Sequence, residues 1–257
     1  MLRTENIHYG VGNTKILQGI TTDFEPGLFH VIVGPNGSGK STFLKVFSGE
    51  LKAQQGNVLY NDENLFRINK NELAKYRAVM SQQPEINFPL IVSEVVMMGR
   101  YPHFDFRPDR EDEVICKHAM TLADVIDFAD RDYLTLSGGE RQRVHFARVL
   151  AQIGNNDNRD KFLFLDEAVS HLDLKHQKQL LETSKKMCDK KFTTIAILHD
   201  INLSLSFADR ILFMKGGRIV FEAKSYTDVT SDIIKYVFDV DSKIIDPGNG
   251  HRPVVIF

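Results

Sequence analysis

A glycine-rich segment between a buried strand and a helix constrains this 257-residue chain most strongly. Residues 34–41 read Gly-Pro-Asn-Gly-Ser-Gly-Lys-Ser, and they follow the apolar run 28–33. Glycines let backbone N–H groups turn inward around phosphate oxygens, and the helix predicted over 40–47 presents the positive end of its dipole there. The segment therefore predicts a phosphate cradle within an α/β fold.

The side chains of this segment have separate predicted roles. Lys40 can reach the β- and γ-phosphates of a nucleotide, Ser41 can place its hydroxyl on Mg²⁺, and Thr42 can contact the α-phosphate. A glycine-rich turn that binds nothing would explain the turn but not Lys40 and Ser41 at the helix start. The predicted nucleotide-binding residues here are Gly34, Pro35, Asn36, Gly37, Ser38, Gly39, Lys40, Ser41 and Thr42.

A second apolar strand, predicted over 162–165, ends in two acids, Asp166 and Glu167. A buried strand would deliver Asp166 to the rim of the sheet, where it can hold Mg²⁺ through water. Glu167 can orient or deprotonate the attacking water. A strand end with two solvated carboxylates is the plainer interpretation, and the nearby cradle weakens it. Many ATPases, GTPases and small-molecule kinases share these features.

A second anion site is predicted about a hundred residues further on. Leu136-Ser137-Gly138-Gly139-Glu140 opens a helical run that ends at Ile153. Ser137 can cap this helix, and the two glycines leave amides exposed at its positive end. One nucleotide carries one triphosphate, so a second site is redundant unless it faces the nucleotide of a partner chain.

At this point the chain resembles the ABC ATPase family, whose hallmark is LSGGE followed here by Arg141-Gln142-Arg143. The resemblance implies an α/β P-loop NTPase fold of the ABC ATPase type, with a RecA-like core, an antiparallel β subdomain and an inserted helical subdomain. It implies one nucleotide-binding domain over 1–257. Its expected parts are the catalytic core with the β subdomain (1–84 and 151–223), the helical subdomain with LSGGE (85–150) and a C-terminal tail (224–257).

The resemblance also implies residue roles beyond the cradle. Tyr9 matches the aromatic that stacks on adenine, Gln82 matches the glutamine that contacts Mg²⁺, and His199 matches the histidine that holds the γ-phosphate. Gln83 adjoins Gln82 and could take its place. The implied catalytic residues are Glu167, His199 and Gln82; the implied Mg²⁺ contacts are Ser41, Gln82 and Asp166; the implied contacts to the partner's nucleotide are Ser137, Gly138, Gly139, Glu140 and Asp173.

One departure from the family pattern follows the catalytic acids. The family commonly has Pro-Thr after Asp-Glu, whereas this chain has Ala168-Val169. Because both acids are intact, we expect hydrolysis to survive. The geometry between Glu167 and Asp173 is where a difference would arise.

Composition and the spacing of the motifs disfavour several other classes of protein. The net charge is −2, without a long basic run, so a nucleic-acid partner is disfavoured. Two cysteines without metal-ligand spacing disfavour a zinc site or a disulfide framework. ABC-like ATPases that act on DNA insert a long coiled coil between the two anion motifs, and those that act on ribosomes usually carry two ATPase units. Neither feature occurs here.

Transport is the remaining expectation, and the chain has no apolar run long enough to cross a bilayer. The segment 92–102 resembles importers of iron-siderophores, haem and cobalamin, and 131–144 is most similar to the haem importers. This implies a homodimer that hydrolyses Mg-ATP on the cytoplasmic face of the inner membrane, with two permease subunits and, indirectly, a periplasmic or surface binding protein. Ferric siderophore or cobalamin remain alternative cargoes.

Apolar and aromatic residues are dense in the predicted helical insertion, and we expect some of them to contact a membrane subunit. A short helix over 94–98, capped by Ser93, is predicted beside them. The apolar set is Phe88, Pro89, Leu90, Met97, Met98, Tyr101, Phe104 and Phe106.

Overall fold

The computed structural model describes residues 1–81, 86–154, 159–170, 172–188, 192–248 and 252–257. The chain divides into two compact units. The first comprises Met1–Ile68 and Met187–Phe257, and the second comprises Asn69–Lys186.

The described chain contains both strands and helices, in single elements and in short runs of one kind. The strands are β1 (Leu2–Val11), β2 (Thr14–Phe24), β3 (Phe29–Val33), β4 (Gln55–Tyr60), β5 (Glu63–Asn64), β6 (Arg77–Met80), β7 (Lys161–Asp166), β8 (Phe192–Ile197), β9 (Arg210–Lys215), β10 (Arg218–Ala223), β11 (Lys243–Ile245) and β12 (Val254–Ile256). The helices are α1 (Lys40–Phe47), α2 (Lys70–Tyr76), α3 (Val92–Met97), α4 (Arg110–Leu122), α5 (Gly138–Ile153), α6 (Leu174–Cys188), α7 (Ile201–Phe207) and α8 (Ser231–Phe238).

Strand β3 is the centre of the first unit. All five of its residues, including His30, are buried, as predicted for a buried strand over 28–33. It pairs in parallel with β8 on one side and β9 on the other, and β10 extends β9 as an antiparallel hairpin. A separate antiparallel sheet has the strand order β2-β1-β4-β5. The parallel pairs place the carboxyl ends of β3 and β8 at one edge.

Aromatic side chains hold α1 against β2 in the first unit. Phe24, Phe43 and Phe47 are fully buried. The ring centroid of Phe47 lies 5.1 Å from that of Phe24 and 4.7 Å from that of Phe43. Close aromatic pairs of this kind add stabilisation beyond their buried area. The packing fixes the helix that follows the glycine-rich segment.

The second unit is built around α5, whose apolar face is buried and contacts α3, α4 and β6. Strands β6 and β7 pair in parallel in this unit, with Met80 opposite Leu165. The prediction that Ser93 caps a helix over 94–98 is wrong. The helix starts at Val92, and the Glu94 carboxylate accepts a hydrogen bond from the Ile91 N–H at 3.0 Å.

A buried ion pair links the helices of the second unit. Arg100 Nε donates to Asp112 Oδ1 at 2.7 Å, and Arg100 Nη1 donates to the Ala151 carbonyl of α5 at 2.9 Å. Both charged side chains are only 5% exposed. Removing one partner leaves a buried charge uncompensated. We expect Asp112→Ala to lower the free energy of unfolding by about 3–5 kcal/mol, measured by urea denaturation.

Glu113→Ala is the matched control, since Glu113 is the exposed neighbour of Asp112 on α4. It should change the urea midpoint little, because surface substitutions away from such features usually have small effects. Equal destabilisation by the two substitutions would show that the buried ion pair contributes no more to the free energy of unfolding than an exposed carboxylate does.

Two buried histidines predict acid sensitivity. Burial lowers the pKa of His145 on α5 to about 3 and that of His30 on β3 to about 4. In the unfolded chain both titrate near the ordinary value of about 6.5, so below that pH the unfolded state binds protons that the folded state does not. The two histidines therefore do not reduce the free energy of unfolding above about pH 6.5. Below that pH they reduce it progressively as the pH drops toward 4. The cost at pH 5 is about 2 kcal/mol for each histidine.

The variant His145→Gln should show a shallower loss of stability between pH 7 and pH 5, measured by chemical denaturation at each pH. His118→Gln removes an exposed histidine of α4 and should leave the slope unchanged. If His145→Gln keeps the full wild-type slope, His145 is not the source of the acid sensitivity.

Candidate functional site

The glycine-rich segment forms a tight turn from β3 into α1, and two of its glycines are required by close approach. A Cβ placed on Gly34 would lie 2.1 Å from the Met214 carbonyl oxygen. Gly39 has φ +96° at the N-cap of α1, and a Cβ there would lie 3.0 Å from the Ile16 carbonyl oxygen. The first turn of α1 therefore opens from a loop that only glycine accommodates.

Lys40 lies across this loop. Its side chain is buried, and Nζ donates to the carbonyl oxygens of Gly34 at 2.9 Å and Pro35 at 3.0 Å. The hydroxyl of Ser38 is buried and has no hydrogen-bond partner among the described residues. An ammonium group, a buried hydroxyl and a helix start in one turn form a donor set suited to phosphate oxygens.

The turn of the β9–β10 hairpin is hydrogen-bonded to the glycine-rich turn. Gly217 N–H donates to the Ser38 carbonyl at 3.1 Å, and the Gly217 carbonyl accepts from Gln18 N–H at 2.9 Å. A Cβ on Gly217 would lie 2.2 Å from the Ile16 carbonyl oxygen. The sequence analysis did not predict this contact between the hairpin turn and Ser38. The second glycine of the turn was the available signal.

Tyr9 lines an open cavity of about 490 Å³ at the end of the β1–β2 hairpin. It pairs with Leu17 across the hairpin, and Leu17 also lines the cavity. A Cβ on Gly39 would lie 3.1 Å from Leu17 Cδ2, so the Leu17 side chain lies next to the helix start as well as lining the cavity. The position suits an aromatic base attached to phosphates in the turn.

His199 follows β8 and is exposed. Since β8 runs parallel to β3, with Ile197 opposite Ile32, the two strands end side by side and lead into His199 and the glycine-rich turn, respectively. Asp200 caps the next helix, α7, accepting from Asn202 N–H at 2.7 Å. The first unit thus brings the glycine-rich turn and His199 to the same edge of the β3–β8 pair, whereas Tyr9 lies on the separate antiparallel sheet.

The second unit places the two acids at the carboxyl end of β7. Asp166 is 7% exposed, and Glu167 is half-buried with φ +54°, a left-handed conformation that is uncommon outside glycine. The Glu167 carbonyl accepts from Ser170 N–H at 3.2 Å and from Ser170 Oγ at 2.7 Å. Ala168 and Val169, which replace the family's Pro-Thr, are buried apolar residues of this turn.

The LSGGE segment forms a capped helix start, as predicted for Ser137. Ser137 Oγ accepts from Glu140 N–H at 3.3 Å, and the Glu140 carboxylate accepts from Ser137 N–H at 2.7 Å. This backbone hydrogen bond lowers the pKa of Glu140 below its ordinary value. A Cβ on Gly138 would contact nothing within 4 Å. The space in the Cβ direction of Gly138 is therefore open, and the positive end of the α5 dipole at this position suits an anion.

Asp173 begins α6 in the same unit. Its Oδ1 accepts from His176 N–H at 2.9 Å and lies 2.7 Å from His176 Nδ1. The backbone bond is the main cause that lowers the pKa of Asp173. Gln82 and His171 lie outside the described residues, although β6, which precedes Gln82, runs beside β7.

The glycine-rich turn and the LSGGE helix start are together the features of an ATP-binding cassette. The chain belongs to the ABC transporter family, whose model matches residues 17–170. Among curated relatives, it is similar to the hemin import ATP-binding protein HmuV of Agrobacterium fabrum, at 37% identity over 100% of this chain and 98% of that protein. HmuV of Pseudomonas fluorescens is 40% identical over 100% of this chain and 99% of that protein.

Solved structures confirm the fold class. A nucleotide-free ATP-binding cassette from an ABC transporter matches with a TM-score of 0.77 at 24% identity, covering 93% of this chain and 95% of that one. A dimeric ATP-binding cassette in a post-hydrolysis state, bound to ADP and Pi, matches with a TM-score of 0.74 at 26% identity. It covers 87% of this chain and 98% of that one.

Proposed function

We propose that this chain is the ATP-binding and hydrolysing subunit of a bacterial hemin importer. The observation that carries the proposal is the full-length similarity to HmuV proteins in a chain whose phosphate-binding turn, acids and LSGGE helix start are intact. Hemin enters the proposal through those relatives, because the ATPase residues contact nucleotide and not cargo.

ATP would be held mainly by the first unit. Lys40 would turn from the loop carbonyls to the β- and γ-phosphates, where a charge-assisted bond is stronger than its present bonds to neutral oxygens. Ser38 would gain an acceptor for its buried hydroxyl. Thr42 would contact the α-phosphate, and Tyr9 would stack on adenine.

The residues proposed around Mg²⁺ are Ser41, Gln82 and Asp166. When bound by these residues, Mg²⁺ would supply charge neutralisation for phosphoryl transfer. Among the residues that the structure describes, no three His, Cys, Asp or Glu side chains are grouped as a metal site. A hydroxyl and one carboxylate with substrate phosphates are the usual protein contribution to a Mg-nucleotide site. The donor set therefore fits this ion.

Hydrolysis would depend on positioning and charge stabilisation. Glu167 would accept a proton from the attacking water, and His199 would hold the γ-phosphate. In a head-to-tail homodimer, Ser137, Gly138, Gly139 and Glu140 of one chain would close over the nucleotide of the other, with Asp173 beside them. Loss of the γ-phosphate would then remove the anion that joins the two chains.

The transporter contact is proposed on the second unit. Phe106 is 96% exposed, Tyr101 60% and Phe88 55%, while Met97 and Met98 are half-buried beside them. Exposed apolar surface of this density is typical of a protein contact. No helix of the described chain is long and apolar enough to span a membrane. We propose that this surface meets two permease subunits at the cytoplasmic face of the inner membrane, with a binding protein acting indirectly.

The predicted boundaries belong to the same proposal: core and β subdomain over 1–84 and 151–223, helical subdomain over 85–150, and tail over 224–257. The tail of the described chain contains α8, β11 and β12. Asn202 of α7 holds β12 by two hydrogen bonds with the Val255 backbone, at 2.7 and 3.1 Å.

Reconstitution in liposomes tests the function and the cargo. The chain would be combined with the permease and binding protein of its transporter, and ATP hydrolysis would be measured with hemin, a ferric siderophore or cobalamin. We expect hemin alone to stimulate hydrolysis and to accumulate in the vesicles. Stimulation by another cargo would overturn the hemin assignment, and absence of hydrolysis under every condition would overturn the ATPase assignment. The Glu167→Gln variant is the matched control.

A further inference from the structure

The helix that begins at Ser137 also carries a side chain that holds the turn after Glu167. Gln142 of α5 is buried, and its Nε2 donates a hydrogen bond to the carbonyl oxygen of Ala168. The amide oxygen of Gln142 is buried and has no hydrogen-bond partner among the described residues. Since a carbonyl acceptor can be met only by the NH₂ end, the amide orientation is fixed by this contact.

The turn that Gln142 holds has an unusual backbone. Glu167 is in the left-handed region, with φ +54°. A non-glycine residue keeps such a conformation only where its surroundings over-determine it. Here the Glu167 carbonyl is held by Ser170, and the next carbonyl, that of Ala168, is held by Gln142. The direction of the Glu167 side chain therefore depends on the hydrogen bonds from both Ser170 and Gln142.

We propose that Gln142 is a positioning residue for hydrolysis, which transmits the position of α5 to the Glu167 carboxylate. This rests on the proposed function, in which Glu167 is the general base and the start of α5 closes over ATP of the partner chain. Gln142 and Ser137 lie on one continuous helix, so a displacement of the helix start moves Gln142 and the Ala168 carbonyl together. Glu167 would reach the position that supports hydrolysis only when the start of α5 lies against the ATP of the partner chain.

This role gives a physical reason for the buried amide of Gln142. An apolar side chain would fill the same space without burying an unpartnered oxygen, which carries a desolvation cost. The amide is useful if the Ala168 carbonyl must be held at a defined position.

The test is a double-mutant cycle between Gln142 and Glu167. We expect Gln142→Met to lower kcat about a hundredfold, the scale of a misplacement of about 1 Å, with KM for ATP changed less than about twofold. In the Glu167→Gln background the same substitution should cause no further loss in single-turnover hydrolysis. Gln142→Asn keeps the amide but retracts it by one methylene, and it should also lower kcat.

Gln152→Met is the matched control on the same helix. Gln152 Nε2 donates to the carbonyls of Ala74 at 2.9 Å and Arg77 at 3.0 Å, remote in sequence from the acids. It should lower the melting temperature and leave kcat unchanged.

Several outcomes would overturn the role of Gln142. They are full kcat in Gln142→Asn, losses that multiply in the double variant, a change confined to KM, or an equal kcat loss in Gln152→Met. Failure of the proposed function would look different. Wild-type chain would then not hydrolyse ATP, or Glu167→Gln would hydrolyse it at the wild-type rate.

Discussion

Replacing Glu167 by Gln is expected to slow ATP hydrolysis by about a hundredfold to ten-thousandfold, the usual contribution of a positioned general base. The carboxylate that accepts the proton of the attacking water is lost, whereas size and hydrogen-bonding capacity are nearly retained. ATP should still bind, because Lys40 and the glycine-rich turn are unchanged. The variant should therefore accumulate as a nucleotide-loaded dimer, seen by light scattering during steady-state ATP supply.

The control for this variant is Glu182→Gln, which neutralises a partly exposed carboxylate of α6. It should hydrolyse ATP at the wild-type rate and should not accumulate as a dimer. Unimpaired hydrolysis by Glu167→Gln would contradict the role given to Glu167 and would leave the cradle as a binding site only.

Replacing Lys40 by Ala is expected to abolish most of the stabilisation that Mg-ATP gives the chain. A ligand at a hundredfold excess over its Kd stabilises the folded state by about 2.7 kcal/mol, which appears as a raised melting temperature. Without Lys40 the β- and γ-phosphates lose the ammonium group of the turn. The melting temperature of Lys40→Ala should thus change little on addition of Mg-ATP.

Lys45→Ala is the matched control, because Lys45 lies on the same helix, α1, outside the turn. Its Mg-ATP shift should equal that of the wild type. A full shift in Lys40→Ala would show that the nucleotide binds elsewhere or without this lysine.

Periodicity and turn chemistry predicted most of the elements around the site. Helix α1 starts at Lys40 and ends at Phe47 as predicted, and β7 ends at Asp166. These elements were predictable because a continuous apolar strand, a glycine turn and a helix start are local signals. The start of α3 was not, because its N-cap is the apolar residue Ile91, whose N–H donates to the Glu94 carboxylate, and an apolar N-cap gives no local sequence signal.

Contacts between distant residues could not be predicted. Gly217 N–H donates to the Ser38 carbonyl, although the two residues are almost 180 positions apart in sequence. Gln142 Nε2 donates to the Ala168 carbonyl, which lies outside the helix that carries Gln142. A sequence pattern reports local conformation, but it does not report which carbonyl a buried amide will find. The left-handed backbone at Glu167 was likewise invisible, since glutamate carries no preference for it.

The central claim is that the start of α5 closes over a triphosphate bound by the opposite chain. The direct measurement is disulfide cross-linking between two separately prepared chains, Asn36→Cys and Ser137→Cys, both in the Glu167→Gln background. Both positions are exposed, and the native Cys116 and Cys188 are buried. The account predicts a cross-linked dimer of the two chains that forms with Mg-ATP and not with ADP. Absence of that product in a mixture shown to contain ATP-loaded dimers would contradict it.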